Sequence, residues 1–150
     1  MKPNRYHCVV NRPGESYVFY STGPKGRIRK LINYELLEEG FEGMERFNLC
    51  LSDWDYDRQT ASDLIVSNNG DRDKVLATIA YTIIDFTRKE KKRVIVIEGS
   101  TPSRTRLYQM AINANYDEVS SLFFIQGRIA GEWETFSTCK NYGAFSIIRK

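Results

Sequence analysis

The sequence predicts an α+β domain: a single mixed, mostly antiparallel sheet with two main helices, ordered β-β-β-β-β-α-β-α-β-β. Three observations lead there. The first third of the chain alternates apolar and polar residues in runs rich in Tyr, Phe, Val and Ile, separated by Gly and Pro turns. The middle carries a long helical pattern, then an apolar run from Val94 to Glu98 that breaks on Gly99 and opens a second helix. The tail alternates again.

Strands are expected near Tyr6 to Val10, Ser16 to Ser21, Arg27 to Leu36 and Arg46 to Trp54. Gly14, the Gly23-Pro24-Lys25-Gly26 stretch and the segment from Gly40 to Gly43 supply the turns. Asp55 to Ala61 reads as a hairpin loop, followed by a strand from Asp63 to Ser67. Asp71 is a suitable N-cap for a helix from about Arg72 to Lys92, with Val75, Leu76, Ile79, Ile83 and Phe86 at helical spacing. Pro102 opens the second helix, which runs to about Asn113 with Leu107, Met110, Ala111 and Ala114 as its inner stripe. Leu122 to Gln126 and Ala144 to Ile148 complete the sheet, joined by a connection from Gly127 to Tyr142. A right-handed crossover would make the strand before Asn68 parallel to the strand before Gly99. Both helices would then start over one crevice at the carboxyl ends of their strands, where open α/β sheets bind ligands.

The 150 residues suit one domain, taken as 1–150. Hydrophobic content of 41% and charged content of 27% are those of an ordinary globular chain, neither disordered nor membrane-embedded. No window reaches the roughly 18 apolar residues of a transmembrane helix, and the N-terminus lacks the apolar stretch of a secretory signal, so the expected location is cytoplasmic with no membrane partner. Cys8, Cys50 and Cys139 are odd in number and far apart, which fits reduced, mostly buried thiols better than a disulfide framework or a zinc site. The net charge of +3 is too mild to imply a grip on long nucleic acid, so only local clusters argue for one.

Gly99 to Tyr108 is the first candidate site. A helix N-terminus offers unpaired N–H groups and partial positive charge, and Ser100, Thr101, Arg104 and Arg106 surround this one. Helix capping alone would explain Ser100, Thr101 and Pro102. Arg104 is harder to explain, because it sits on the apolar stripe in the first turn, where a cation opposes the helix dipole; it requires either a bound anion or an internal ion pair with Glu98 or an aspartate. Tyr108, one turn on, is a candidate catalytic acid, a stacking surface or, as the plainer account, a core residue.

The second candidate is the loop before the first helix, where Asn69, Gly70 and Lys74 could serve an anion and a simple turn with N-cap is the plainer account. It lacks the spacing of a P-loop or a dinucleotide fingerprint. The third is Lys25, Arg27, Arg29 and Lys30, a basic stripe near Tyr17, Phe19 and Tyr20 that is either a solvated face or a nucleic-acid contact. The cations from Arg88 to Arg93 are accounted for by the C-terminal end of the first helix. Asp53, Asp55 and Asp57 fail the calcium-loop pattern and read as a polar hairpin end, so no metal is assigned. His7 is the only histidine, which leaves little material for a catalytic triad, and its neighbour Cys8 is expected to pack on the opposite strand face.

The motifs Asn68-Asn69-Gly70-Asp71 and Gly99-Ser100-Thr101-Pro102-Ser103-Arg104-Thr105-Arg106-Leu107-Tyr108 resemble those of a small uncharacterised bacterial family of about this length, a resemblance that spans most of the chain and implies no reaction or cofactor. The order of strands and helices also looks like the core of the acetyl-CoA-dependent N-acetyltransferase superfamily, in which the loop before the central helix holds pyrophosphate. The segment from Ser67 to Lys74 does not reproduce that superfamily's arginine or glutamine and glycine spacing, so no catalytic residue carries over. Two functions follow as expectations. One is a ligand binder or small transferase-like enzyme holding a phosphate-bearing or other anionic small molecule at paired helix N-termini. The other is a module that contacts RNA or a small antitoxin-like protein, such as the toxin of a bacterial toxin and antitoxin pair. The cofactor is unassigned.

Overall fold

In the computed structural model the described residues are 4–11, 15–39, 43–62, 68–88, 90 and 92–150, residues 38 and 39 by their backbone alone. The first strands are β1 (Val9–Asn11), β2 (Ser16–Gly23), β3 (Gly26–Glu39), β4 (Glu45–Asp55) and β5 (Thr60–Ser62). Then come α1 (Arg72–Arg88), β6 (Arg93–Ile97), α2 (Pro102–Ala114), a short α3 (Tyr116–Leu122), and β7 (Phe123–Ile129), β8 (Glu132–Thr135) and β9 (Ala144–Arg149). The sheet runs β1-β2-β3-β4-β6-β9-β7-β8, with β5 on β4. Every described pairing is antiparallel except β4 with β6, so the fold is the mixed α+β sheet that the pattern predicts.

Several details differ from expectation. The predicted strand Asp63 to Ser67 lies outside the described residues, as do the turns at Gly14 and Gly40. Both edges of β6 are taken, by β4 and β9, so its parallel neighbour is β4 rather than the segment before Asn68. The assumed hairpin loop ends early, because Thr60–Ser62 already pairs with β4. The connection from Gly127 to Tyr142 contains β8, and α3 sits where no helix was expected. Residues 4–8 are not strand; Tyr6 N–H donates to Thr78 Oγ1 of α1 and anchors that segment on the helix.

One face of the sheet carries the core. Tyr17 and Phe19 of β2, Ile32 and Tyr34 of β3, Leu49 and Leu51 of β4, and Ile95 and Ile97 of β6 alternate inward with period two and meet the buried stripes of α1 and α2. Tyr34 stacks on Phe86 at 4.0 Å and 9°, and Phe47 meets the same ring edge-on. Arg93 donates to the Phe86 carbonyl, one of the last four acceptors that α1 leaves unpaired, and Arg149 adds a bond to the Ile84 carbonyl, just before those four. The predicted inner residues of α1 are all buried. In α2 the buried face is Arg104, Tyr108, Ala111 and Ile112, one position round from the predicted stripe; Leu107 and Met110 lie on its flank and Ala114 is exposed. The rotation has a polar cause, since Arg104 and Tyr108 both find partners on β4.

Cys8 is buried and His7 exposed, on alternating sides as expected, and burial pushes the Cys8 thiol up to about 11, so it stays protonated at neutral pH. Cys50 is half-buried, and Cys139 is exposed, which corrects the expectation of mostly buried thiols.

Candidate functional site

The α2 start is built by close packing. Gly99, two residues past the end of β6, has no room for a side chain, since a Cβ there would collide with Thr105 N and stand 2.6 Å from Arg104 Cβ. Its N–H donates to Thr105 Oγ1 at 3.0 Å. Thr101 is the N-cap, its Oγ1 accepting from Arg104 N, and Pro102 occupies the first turn, which contains no acidic residue. Beside this turn lies an open cleft of about 590 Å³. Ser100, Thr101, Ser103 and Arg106 line its helix side, and Glu98 borders it, bound to Arg128 at 3.1 Å.

The opposite wall is Asn141, Tyr142 and Gly143. Gln109 holds it in place, donating from Nε2 to the Lys140 carbonyl and accepting at Oε1 from Tyr142 N–H. Tyr142 is buried against Gly127, its hydroxyl accepting from Ser137 N–H and donating to Glu134. Lys140 bonds the same carboxylate and holds Glu134 below the usual carboxylate range. The sequence reading missed Gln109, which lies on the predicted second helix, and Asn141 and Tyr142, which lie in the connection whose strands it left undefined.

Arg104 does not line the cleft. It is 6% exposed and turns inward to Asp53, with Nη2 3.8 Å from Oδ1. The same Asp53 oxygen accepts from Lys30 Nζ at 2.7 Å, and Lys30 and Asp53 are 5% and 1% exposed. Asp53 Oδ2 is buried without a hydrogen-bond partner among the described residues. The expected trio of aspartates is therefore split: Asp53 belongs to this interior cluster, whereas Asp55 closes the β4–β5 turn by accepting from Asp57 and Arg58 N–H. No group of three or more metal-ligating side chains occurs among the described residues.

Tyr108 is buried in the core, its hydroxyl accepting from Leu51 N–H at 2.8 Å. That bond falls just past the last β4–β6 pair, Leu49 with Ile97, where β4 loses its partner on that side. Tyr108→Phe is expected to lower stability by about 1 to 3 kcal/mol by stranding a buried N–H, a change read from the urea midpoint at constant slope.

The α1 start is organised differently. Asn69 is buried and ties the loop to the β2–β3 turn, donating to Ser21 Oγ and the Gly26 carbonyl and accepting from Lys25 N–H. Asp71 turns inward to accept from Tyr6 and Ser21 hydroxyls. Gly70, at φ +73°, and Lys74 line a second hollow of about 560 Å³ together with Asp71 and Asp73. This hollow and the α2 cleft share no lining residue, so among the described residues the two helix starts open separately instead of onto the one crevice expected. The basic stripe is also divided. Arg27 and Arg29 share the face away from the helices, while Lys30 points into the core, as alternation along β3 requires.

Fold and site together define a class: an α+β protein with its helices on one face of a mixed sheet and a hydroxyl-lined cleft where the second helix begins. The chain belongs to a family of unknown function (DUF6934), which matches residues 2–150. No curated protein and no solved structure matches it. No helix among the described residues is long and apolar enough to cross a membrane.

Proposed function

We propose that this protein binds a phosphate-bearing or other anionic small molecule in the cleft at the start of α2. The observation that carries this reading is the lining of one wall by Ser100, Thr101, Ser103 and Arg106 around a helix N-terminus whose first turn has no carboxylate. Arg104 acts here as a strut: by pairing with Asp53 it fixes the first turn against β4 and leaves Arg106 as the cleft's own guanidinium. Coenzyme A thioesters belong among the ligands tested, because the chain order resembles the acetyltransferase core. Just beyond the last β4–β6 pair, the Tyr108 hydroxyl takes the Leu51 N–H.

The test is a thermal-shift screen against inorganic phosphate, pyrophosphate, nucleotides and coenzyme A thioesters, repeated with Arg106→Ala. Stabilisation should rise with ligand concentration as binding linkage requires, and the exposed Arg106→Ala substitution should weaken affinity roughly tenfold, the loss of one charge-assisted contact. Stabilisation that is the same in a folded Arg106→Ala variant would place the ligand elsewhere, and no stabilisation by any of these anions would reject the reading.

A further inference from the structure

We propose that the open face of β2, β3 and β4 is a docking surface for single-stranded RNA, independent of the α2 cleft. Both helices bury their stripes on the opposite face, and strand alternation brings Tyr20, Arg27, Arg29 and Trp54 together on this one. Arg27 lies 3.9 Å from the centre of the Tyr20 ring, and Arg29 lies 5.1 Å from that of Trp54. Tyr56 extends the row, 54% exposed, with its hydroxyl accepting from Arg29 N–H. Lys25 stands exposed at the adjoining turn.

Charge complementarity selects the occupant. By alternation this face carries no carboxylate along β2, from Gly26 to Asn33 of β3, or from Cys50 to Trp54 of β4. Asp53 lies between those last residues but points to the other face, where Lys30 and Arg104 hold it. A guanidinium stacked on a ring uses its flat faces and keeps its N–H donors at the edges, where phosphate oxygens can reach them. Arginine planes alternating with aromatic rings on an open sheet suit unstacked bases, which single strands provide and duplexes do not. An acidic peptide would satisfy the arginines and leave the rings unmatched. On the same face the Thr22 hydroxyl and the Asn33 Nδ2, whose Oδ1 is taken by Ser16, offer hydrogen bonds to ribose 2′-hydroxyls, which favours RNA over DNA.

Fluorescence anisotropy with a labelled mixed-sequence RNA on the order of a dozen nucleotides long tests this. The wild-type protein should bind with strong salt dependence. The R27E/R29E variant should weaken binding at least about tenfold and reduce the salt slope by about two, and Trp54→Ala should weaken it at least about fivefold by removing a stacking surface. An R88E/K92E variant makes the same charge change at the far end of α1 and should stay within about twofold, since it leaves the proposed contacts intact. No RNA binding by the wild type, equal losses in both double variants, or equally tight binding of DNA of the same sequence would each overturn the proposal. If circular dichroism shows that R27E/R29E unfolds, Arg27→Gln and Arg29→Gln taken singly are each expected to weaken binding, and unchanged affinity in both would overturn it.

Discussion

Asp53→Ala is expected to destabilise the protein by about 3 to 5 kcal/mol, the cost of removing one partner from a buried ionic cluster. Lys30 and Arg104 both direct charge at Asp53 Oδ1, and all three side chains are almost fully buried. Removing the carboxylate leaves two interior cations without their common counter-charge, a cost borne by the folded state. Asp53→Asn separates charge from shape. It keeps the volume and an oxygen acceptor, so if it destabilises as much as alanine, then charge holds the cluster together. Urea unfolding of the three proteins decides the matter, and a loss under about 1 kcal/mol for alanine would mean that the ion pairs are dispensable. Because Arg104 belongs to the first turn of α2, the same variant should also loosen the cleft and weaken any anion bound there.

Gly99→Ala should cost about 3 kcal/mol, at the upper end for overpacking, from a single added methyl. The atoms that a Cβ would meet are mainly backbone, Thr105 N and Arg104 C, and helix backbone cannot swing aside as a side chain can. The strand-to-helix junction would have to open, breaking the Gly99 N–H to Thr105 bond and shifting the N-cap that shapes the cleft. A melting temperature within a degree or two of wild type would show that the junction is looser than its packing implies. A stable Gly99→Ala variant that had lost anion binding would separate shaping the site from holding the fold.

Periodicity made most of the fold legible. The β2, β3 and β4 strands and α1 follow strong alternating or helical patterns, and the core residues of α1 are those its pattern selects, whereas Tyr17 and Phe19, read beside the basic stripe, are buried on the opposite face from Arg27 and Arg29. The site was only half legible. Ser100, Thr101 and Arg106 lie together in the chain, so one glance at the α2 start collects them. Arg104 was marked as anomalous by its place on an apolar stripe, but its partner Asp53 lies far away in sequence, and only the pairing of β4 with β3 and α2 brings it near. Asp53 carried a misleading local signal, its alternation with Asp55 and Asp57. Gln109, Asn141 and Tyr142 were invisible because the far wall depends on a long-range hydrogen-bonded clamp, for which neither composition nor period gives a sign. The inner face of α2 takes in Arg104 and Ala111 as expected, but Tyr108 and Ile112 complete it in place of Leu107, Met110 and Ala114, because the bonds of Arg104 and Tyr108 to β4 set the helix rotation.

The placement of β9 has a consequence for how the chain matures. It follows β7 and β8 in sequence yet lies between β6 and β7 in the sheet. As the polypeptide leaves the ribosome, β7 and β8 emerge with only each other to pair with, while β6 has β4 on one side and a vacant ladder on the other. Until β9 arrives, the unpaired backbones of β6 and β7, with Ile95, Ile97, Phe123 and Ile125 beside them, form two sticky templates open to any passing strand. The final keystone strand therefore shields a nascent chain from its neighbours in a crowded polysome, and mutations that delay its insertion should harm yield more than they harm the finished fold.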